Sequence, residues 1–508
     1  MHGASSTRHT RRDRRRSIVT DGVLIGVDLG TTGVKVVLVD SDQGVIASAS
    51  RANTLSSPAP GWAEADPEQW RTNALSAIAE VVALTPGRRI EAIATTGMVP
   101  AVVLVGSDGE PLRPAMLQND ARAGEEVARL TAALSDADPL SATGSVTTQQ
   151  SVAPKLAWVA RHEPHVWRRT YAVLGSYDWL LTALGAIPHV EVNWAVESGL
   201  FDLDRSPFAP AVAAVAGAGD RLAPVKPSGA VVGELRADIA AGVGLPAGIP
   251  LVVGGADHVL SAYSAGLTQV GDWLVKLGGA GDILAVSEEP ITDERFFLDS
   301  HTIPHLWLPN GCMATSGSLV RWVQGLLKIE DLAAMDGEAA GRPASEVLCL
   351  PYFLGEKSPI NDVDLRGVFA GMHLGHDAVD LYRSALEGIA FGFRHNAEVL
   401  SERGVLLSSA TVTNGGATSL LWKQIHASVL GVPLRTVRNH PGASLGAAIA
   451  AGIGVGIFAD WTTPLALVEE GDTIEPRDDL VGRYDEAYSL WRELAGATAP
   501  TMRALARR

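Results

Sequence analysis

Apolar runs at the start of the chain come in pairs around a polar, glycine-bearing turn. Residues 23–27 and 34–39 are almost wholly aliphatic, and Asp28-Leu-Gly-Thr-Thr-Gly33 lies between them. Continuous apolar runs of this length predict buried strands, so the segment reads as strand, tight turn, strand. A turn at Gly44 then leads to a third strand over 45–51. The pattern returns far downstream, where the apolar run 273–277 meets Gly278-Gly-Ala-Gly281 and a second apolar run follows to Val286. Two such hairpins about 250 residues apart predict a duplicated α/β architecture with a cleft between its halves.

The intervening periodicity is mixed. Residues 68–84 read as a helix opened by Asp66-Pro67, with proline in the first turn. Residues 90–94, 101–105 and 250–255 read as strands, and 257–265 and 420–430 as helices. Over 377–400, Val379, Tyr382, Leu386, Ile389, Phe393 and Leu400 fall near one helical face. Alternation of this kind predicts mixed α/β layers. The expected organisation is a tail over 1–21, a first domain over 22–266, a second over 267–495, and a short tail over 496–508.

Composition narrows the classes. The chain has 508 residues, 46% apolar and 19% charged, enough for two large domains with real cores. Its formal net charge of −16 argues against a general nucleic-acid binder. No apolar run is long enough to predict a membrane span. Two cysteines, Cys312 and Cys349, exclude a disulfide scaffold and a four-cysteine zinc site, and point to a reducing cytoplasm. The first twenty residues hold six arginines against one aspartate and read as a tail without the apolar stretch of a secretory signal.

The glycine turns are the candidate chemistry. Gly30 and Gly33 let the backbone bend and expose amides, and Thr31 and Thr32 add hydroxyl donors, a set suited to phosphate oxygens. Asp28 at the strand end suits Mg²⁺, held through water. Gly242-Val-Gly-Leu-Pro-Ala247 matches a dinucleotide fingerprint only formally, because Pro246 and Pro250 forbid the helix it needs. Gly442-Ala-Ser-Leu-Gly446 matches a serine-hydrolase elbow, but the last histidine, His440, precedes Ser444, against the order of that fold.

Asp28-Leu-Gly-Thr-Thr32, Gly61-Trp-Ala-Glu-Ala-Asp-Pro67, Gly254-Gly-Ala-Asp257, Leu354-Gly-Glu-Lys-Ser-Pro359, Arg366-Gly-Val-Phe369 and Asn414-Gly-Gly-Ala417 follow one another in a recognisable order. Gly367 to Met372, with Ser384-Ala-Leu-Glu387 after it, adds a C-terminal motif. Together these resemble the FGGY carbohydrate kinases, with xylulokinase-like members the nearest pattern. The resemblance spans about Leu24 to Tyr488. It implies two actin-like (ribonuclease H-like) domains around a cleft, and ATP-dependent phosphorylation of a sugar or polyol hydroxyl with Mg²⁺. It implies Asp257 as the base that takes the hydroxyl proton. It places Asp28, Gly30, Thr31 and Thr32 on phosphate and metal, Gly278, Gly279 and Ala280 on a second phosphate turn, and Asn414, Gly415, Gly416 and Ala417 beside adenine and ribose. For the sugar it implies Met98, Asn119, Asp120 and Arg122, with His258 either reaching substrate or packing in its helix.

The chain also departs from that pattern. Gly279 and Ala280 stand where relatives carry Thr or Ser, so hydroxyl contacts are lost while backbone amides remain. Gln118 replaces a tryptophan, and Met98-Val-Pro100 replaces a polar Gln-Met-His stretch. His258 replaces the common asparagine. The expected substrate is a ketopentose such as xylulose, with ribulose, a tetritol, a pentitol or gluconate as alternatives, since lost donors shift preference strongly. The rival reading is a non-catalytic nucleotide-binding actin-like protein. A homodimer is the base-rate expectation.

Overall fold

In the first hairpin β1 (Gly22–Leu29) and β2 (Gly33–Asp40) pair antiparallel, as their apolar runs predict. The computed structural model describes residues 22–438 and 440–508; the arginine-rich segment 1–21 lies outside them. β2 carries on its far side β3 (Gly44–Ala52). On the other side of β1 lie β4 (Arg89–Gly97), parallel to it, then β6 (Pro250–Ala256), parallel to β4, and the antiparallel edge β5 (Val231–Glu234). The sheet order is β5-β6-β4-β1-β2-β3. Helix α1 (Pro67–Leu84) covers one face, capped by Asp66, whose carboxylate accepts the Glu68 amide. It buries Trp70, Ala74, Ile78 and Val81 there.

The second half repeats the plan. The hairpin β7 (Asp272–Leu277) and β8 (Gly281–Ala285) is flanked by β10 (Trp307–Met313) and the edge β9 (Phe297–Ser300). Parallel strands β11 (Ser409–Thr413) and β12 (Leu434–Val437) extend the other side to an antiparallel edge, β13 (Glu470–Ile474). The order β9-β10-β8-β7-β11-β12-β13 repeats the first sheet with one strand added at an edge. The twofold pattern seen in two short hairpins is therefore a duplicated domain. Helix α2 (Asp257–Ser264) follows β6, and α3 (Gly317–Leu327) follows β10. α4 (Ala378–Glu402) and α5 (Leu420–Leu430) pack in the second core.

Two boundaries differ from expectation. Helix α6 (Ala443–Gly454), far inside the second half by sequence, packs on the first sheet. Its Leu445, Ala448 and Ile449 join Leu24, Ala94, Val252 and Leu260 in one core cluster. Its small side chains let the helix backbone approach β1 closely. Ser444 is fully buried in that contact, and its hydroxyl bonds to the Pro441 carbonyl (3.2 Å), so it is no exposed nucleophile. Residues 496–506 form no tail: they continue α7 (Asp478–Ala506), through Pro500. Met502 is buried, and Arg503 pairs with Asp362 at 2.6 Å. Those contacts lie far away in the chain, which is why composition alone suggests a tail.

Gly26 shows how tight the α6 contact is. A Cβ there would collide with the Ser444 carbonyl and stand 2.8 Å from the Ala448 nitrogen. Gly26→Ala is expected to lower stability by about 3 kcal/mol through overpacking. Gly124→Ala, where a Cβ meets nothing, is expected to leave it unchanged. Equilibrium denaturation of both variants measures the difference.

Candidate active site

The carboxyl ends of the central strands converge on the space between the two sheets. A cavity of about 610 Å³ opens there. Asp28 and Asp257 line it from the first half, and Lys276, Thr413, Asn414, Gly415 and Ala417 from the second. Residues from four separate strand ends thus meet at one point.

Asp28 ends β1, so its position follows from the strand itself. The turn after it is shaped to spend its carbonyls internally. The Gly33 carbonyl accepts the Gly30 amide (3.0 Å), the Thr32 carbonyl accepts Asn53 N–H (2.9 Å), and the Gly30 carbonyl accepts the Asn53 side chain (3.0 Å). Turning carbonyls away leaves amides and the Thr31 and Thr32 hydroxyls as the available polarity, an anion-binding arrangement. Burial, then the neighbouring Asp257 charge, pushes the Asp28 carboxyl up to about 7, against the pull of Lys35 and Lys276. A desolvated carboxylate beside a second one, facing a cavity with hard oxygen donors, fits a divalent cation.

Asp257 opens α2 directly after β6. It occupies the first helical position, not the cap, and one oxygen accepts the His258 amide at 2.7 Å. The rest of its carboxylate faces the cavity. Lys276 stands across from Asp282 in the second hairpin and pairs with it at 3.0 Å. Burial opposes the Lys276 charge, but Asp282 and then Asp257 outweigh it and hold the ammonium above its ordinary range. Lys276 is thus a fixed positive charge beside two carboxylates.

A second cavity of about 570 Å³ shares Gly415 and Thr418 with the first. Gly278 and Gly279 line it with Gly416, Arg321 and Trp422. Gly416 has no room for a side chain, because a Cβ would meet the Trp422 ring and stand 2.7 Å from Leu277 Cβ. Asn414 adopts a left-handed φ of 72°, which swings the backbone from β11 into this floor.

The residues expected around the sugar line neither cavity. Met98 is buried under the end of β1, its amide bonded to the Leu29 carbonyl (3.2 Å). Asn119 is exposed. Asp120 is fully buried, and its oxygens accept the Ala63 amide (2.7 Å) and the Arg122 guanidinium (2.8 and 2.7 Å). Arg122 also reaches Glu64 at 2.7 Å and lies 3.6 Å above the Trp62 ring. Asp120 therefore has both oxygens engaged within the protein. His258 bridges from Asp257 inward: its Nδ1 is 3.5 Å from Asp257 and its Nε2 3.0 Å from buried Asp299. Burial opposes its charge, but Asp299 and the bonds to both aspartates keep the imidazole protonated well above its ordinary range.

Sequence reasoning missed Lys155, Glu197, Lys276 and Asp299. Two carried a signal, a lysine inside an apolar run: Lys276 in β7 and Lys155 in 152–159. Glu197 and Asp299 carried none. Several polar atoms in this region are buried without a partner among the described residues: Gln118 Oε1, Arg122 Nη1, Glu197 Oε1 and Asp299 Oδ1.

Two predictions follow from these charges. Arg122→Ala leaves Asp120 buried without its cation, while Glu64 keeps Arg113, and is expected to cost about 3–5 kcal/mol, read by thermal or denaturant unfolding. Lys155 is fully buried, and burial pulls it down to about 7 from 10.5 despite Asp120 and Glu197. Between those values the unfolded chain binds more protons, so Lys155 makes stability rise with pH. In Lys155→Met that rise shrinks, as denaturation at about pH 7 and about pH 9.5 tests.

Comparison with known proteins agrees on both halves. The model of the FGGY family of carbohydrate kinases matches residues 23–264 with its N-terminal domain and 275–455 with its C-terminal domain. The chain is 30% identical to a xylulose kinase of Escherichia coli K12, over 81% of this chain and 85% of that one. It is 28% identical to a xylulose kinase of Staphylococcus epidermidis, over 93% and 96%. The crystal structure of xylulose kinase from Rhodospirillum rubrum superposes with a TM-score of 0.88 at 41% identity, covering 94% of this chain and 99% of that one. Plasmodium falciparum glycerol kinase with ADP shares the fold, with a TM-score of 0.86 at 19% identity, over 94% and 98%. With the two sheets, the cleft and its paired aspartates, these matches make the chain a member of the FGGY carbohydrate kinases, an ATP-dependent kinase of xylulokinase-like type built on two actin-like domains.

Proposed function

We propose that this kinase transfers the γ-phosphate of ATP to a hydroxyl of a neutral ketopentose, xylulose or a close relative. The observation that carries the reading is the meeting of Asp28 and Asp257 in one cavity with the glycine strand ends of the second half. The names of the relatives support the sugar. Burial, then Asp299, holds the Glu197 carboxyl well above its ordinary range, and His258 is already shared between Asp257 and Asp299, so this cluster has no free positive charge for an aldonate such as gluconate, which favours a neutral sugar.

In this reading Asp257 accepts the proton of the attacking hydroxyl as its oxygen bonds to the γ-phosphorus. The bond from that phosphorus to the bridging oxygen breaks, and ADP leaves with the electron pair. Lys276, fixed by Asp282, offsets the negative charge that gathers in the cleft. The amides and hydroxyls of Thr31 and Thr32 hold phosphate oxygens in a turn that Gly30 shapes, its own amide spent on the Gly33 carbonyl, and Gly278, Gly279 and Ala280 hold them from the facing turn. Asn414, Gly415, Gly416 and Ala417 form the floor for adenine and ribose. Asp28 is the residue that would hold Mg²⁺, which neutralises phosphate charge when bound. Closure of the two halves excludes water from the transfer. Free thiols at Cys312 and Cys349 suit a cytoplasmic enzyme.

ADP release with Mg-ATP across pentuloses, tetritols, pentitols and aldonates tests this. One neutral ketopentose is expected to stimulate release. Asp257→Asn is expected to lower kcat by about a thousandfold with ATP affinity retained. ATP binding with no sugar-dependent release from any member of the panel would instead favour a non-catalytic nucleotide-binding protein.

A further inference from the structure

The second phosphate turn lacks the hydroxyl-bearing side chains of the family pattern, and the structure places a charged group where one would stand. Gly278, Gly279 and Ala280 join β7 to β8. The carbonyls of Gly278 and Gly279 are already spent on the start of α3. Gly278 accepts Gly317 N–H (2.8 Å), and Gly279 accepts Ser316 and Ser318 N–H (2.9 and 3.0 Å). The turn therefore presents no carbonyl of these two residues to the cavity, and it has no side chain of its own to offer a ligand.

One turn further along α3, Arg321 leans back over this hairpin. A Cβ on Gly279 would stand 3.2 Å from its Nη2, and a Cβ on Gly317 would stand 3.7 Å from its Nη1. The guanidinium thus borders the volume that a threonine at position 279 would fill. Arg321 lines the same cavity as Gly278, Gly279, Gly415 and Gly416. It is exposed, and it forms no ion pair and no hydrogen bond among the described residues. Asp336, the carboxylate lining that cavity, accepts the Tyr382 hydroxyl at 2.7 Å. Arg129, Arg168, Arg169, Arg205 and Arg483 are also exposed, but Arg321 is the arginine that lines this cavity. Arg321 is an unspent fork of donors over a bare glycine turn.

We propose that Arg321 binds the phosphate chain of the nucleotide and takes over the contact that a hydroxyl at position 279 makes in related kinases. This rests on the kinase reading given above. A guanidinium offers planar, charge-assisted donors to phosphate oxygens, stronger than a neutral hydroxyl. Its tie to phosphate alone separates it from residues that hold adenine or ribose.

Calorimetric titration of the sugar-free protein with ATP, ADP and adenosine tests the assignment. Arg321→Ala is expected to weaken ATP and ADP binding about tenfold or more and to leave adenosine affinity unchanged. Equal loss for adenosine would overturn the phosphate contact, as would unchanged ATP affinity in a wild-type protein that binds ATP. A wild-type protein that binds neither nucleotide would overturn the kinase reading itself. Gly279→Thr supplies the second arm. In the wild-type background its Cβ crowds the guanidinium, and ATP affinity is expected to fall. In the Arg321→Ala background the same hydroxyl is expected to raise it. Effects that simply add would show that the two positions do not substitute for one another.

Discussion

Two carboxylates share the floor of one partly dehydrated cleft, and the rest of the site is arranged around that constraint. Asp28 and Asp257 repel, and burial makes the Asp28 charge costly. The rise of Asp28 to about 7 is the measure of that cost. The molecule offsets it with fixed positive charge: Lys276, clamped by Asp282, and Lys35, whose ammonium donates to the Pro441 carbonyl at 2.7 Å. The remaining deficit is what makes the cleft receptive to a cation and to phosphate oxygens held by amides.

Holding that geometry needs a rigid junction between the halves, and small residues provide it. Gly26, Ala448 and Gly446 let α6 lie directly on β1 and α2, so a helix from the second half completes the core of the first. The chain crosses the cleft there instead of keeping to one side. The same logic of close approach recurs at Gly416, where bulk is supplied by Trp422 rather than by the turn.

The first half handles its polar interior differently. Asp120, Arg122, Glu64 and Arg113 form a buried alternation of charge, stacked on Trp62 and Trp158. Such a network is costly to break and gives a defined shape. A second polar cluster, His258 with Asp299 and Glu197, backs Asp257. His258 is the one departure from the family pattern that the structure ties directly to Asp257.

The sequence by itself determined the hairpins, the duplication and the two aspartates, because each depends on local pattern: apolar runs of strand length, a turn that needs glycine, a carboxylate at a strand end. It determined the family through motifs in a fixed order. It did not determine which charges meet. Asp120 reads as a sugar ligand on a loop, and the tertiary structure instead spends its oxygens on Ala63 and Arg122. Lys276 reads as an oddity in an apolar strand until Asp282 and Asp257 are placed beside it. Glu197, Asp299 and Arg321 leave no local trace, and α6 looks like part of the second domain. All of these depend on contacts between residues distant in the chain, and such contacts are set by how sheets and helices stack, not by the spacing of residues along one element.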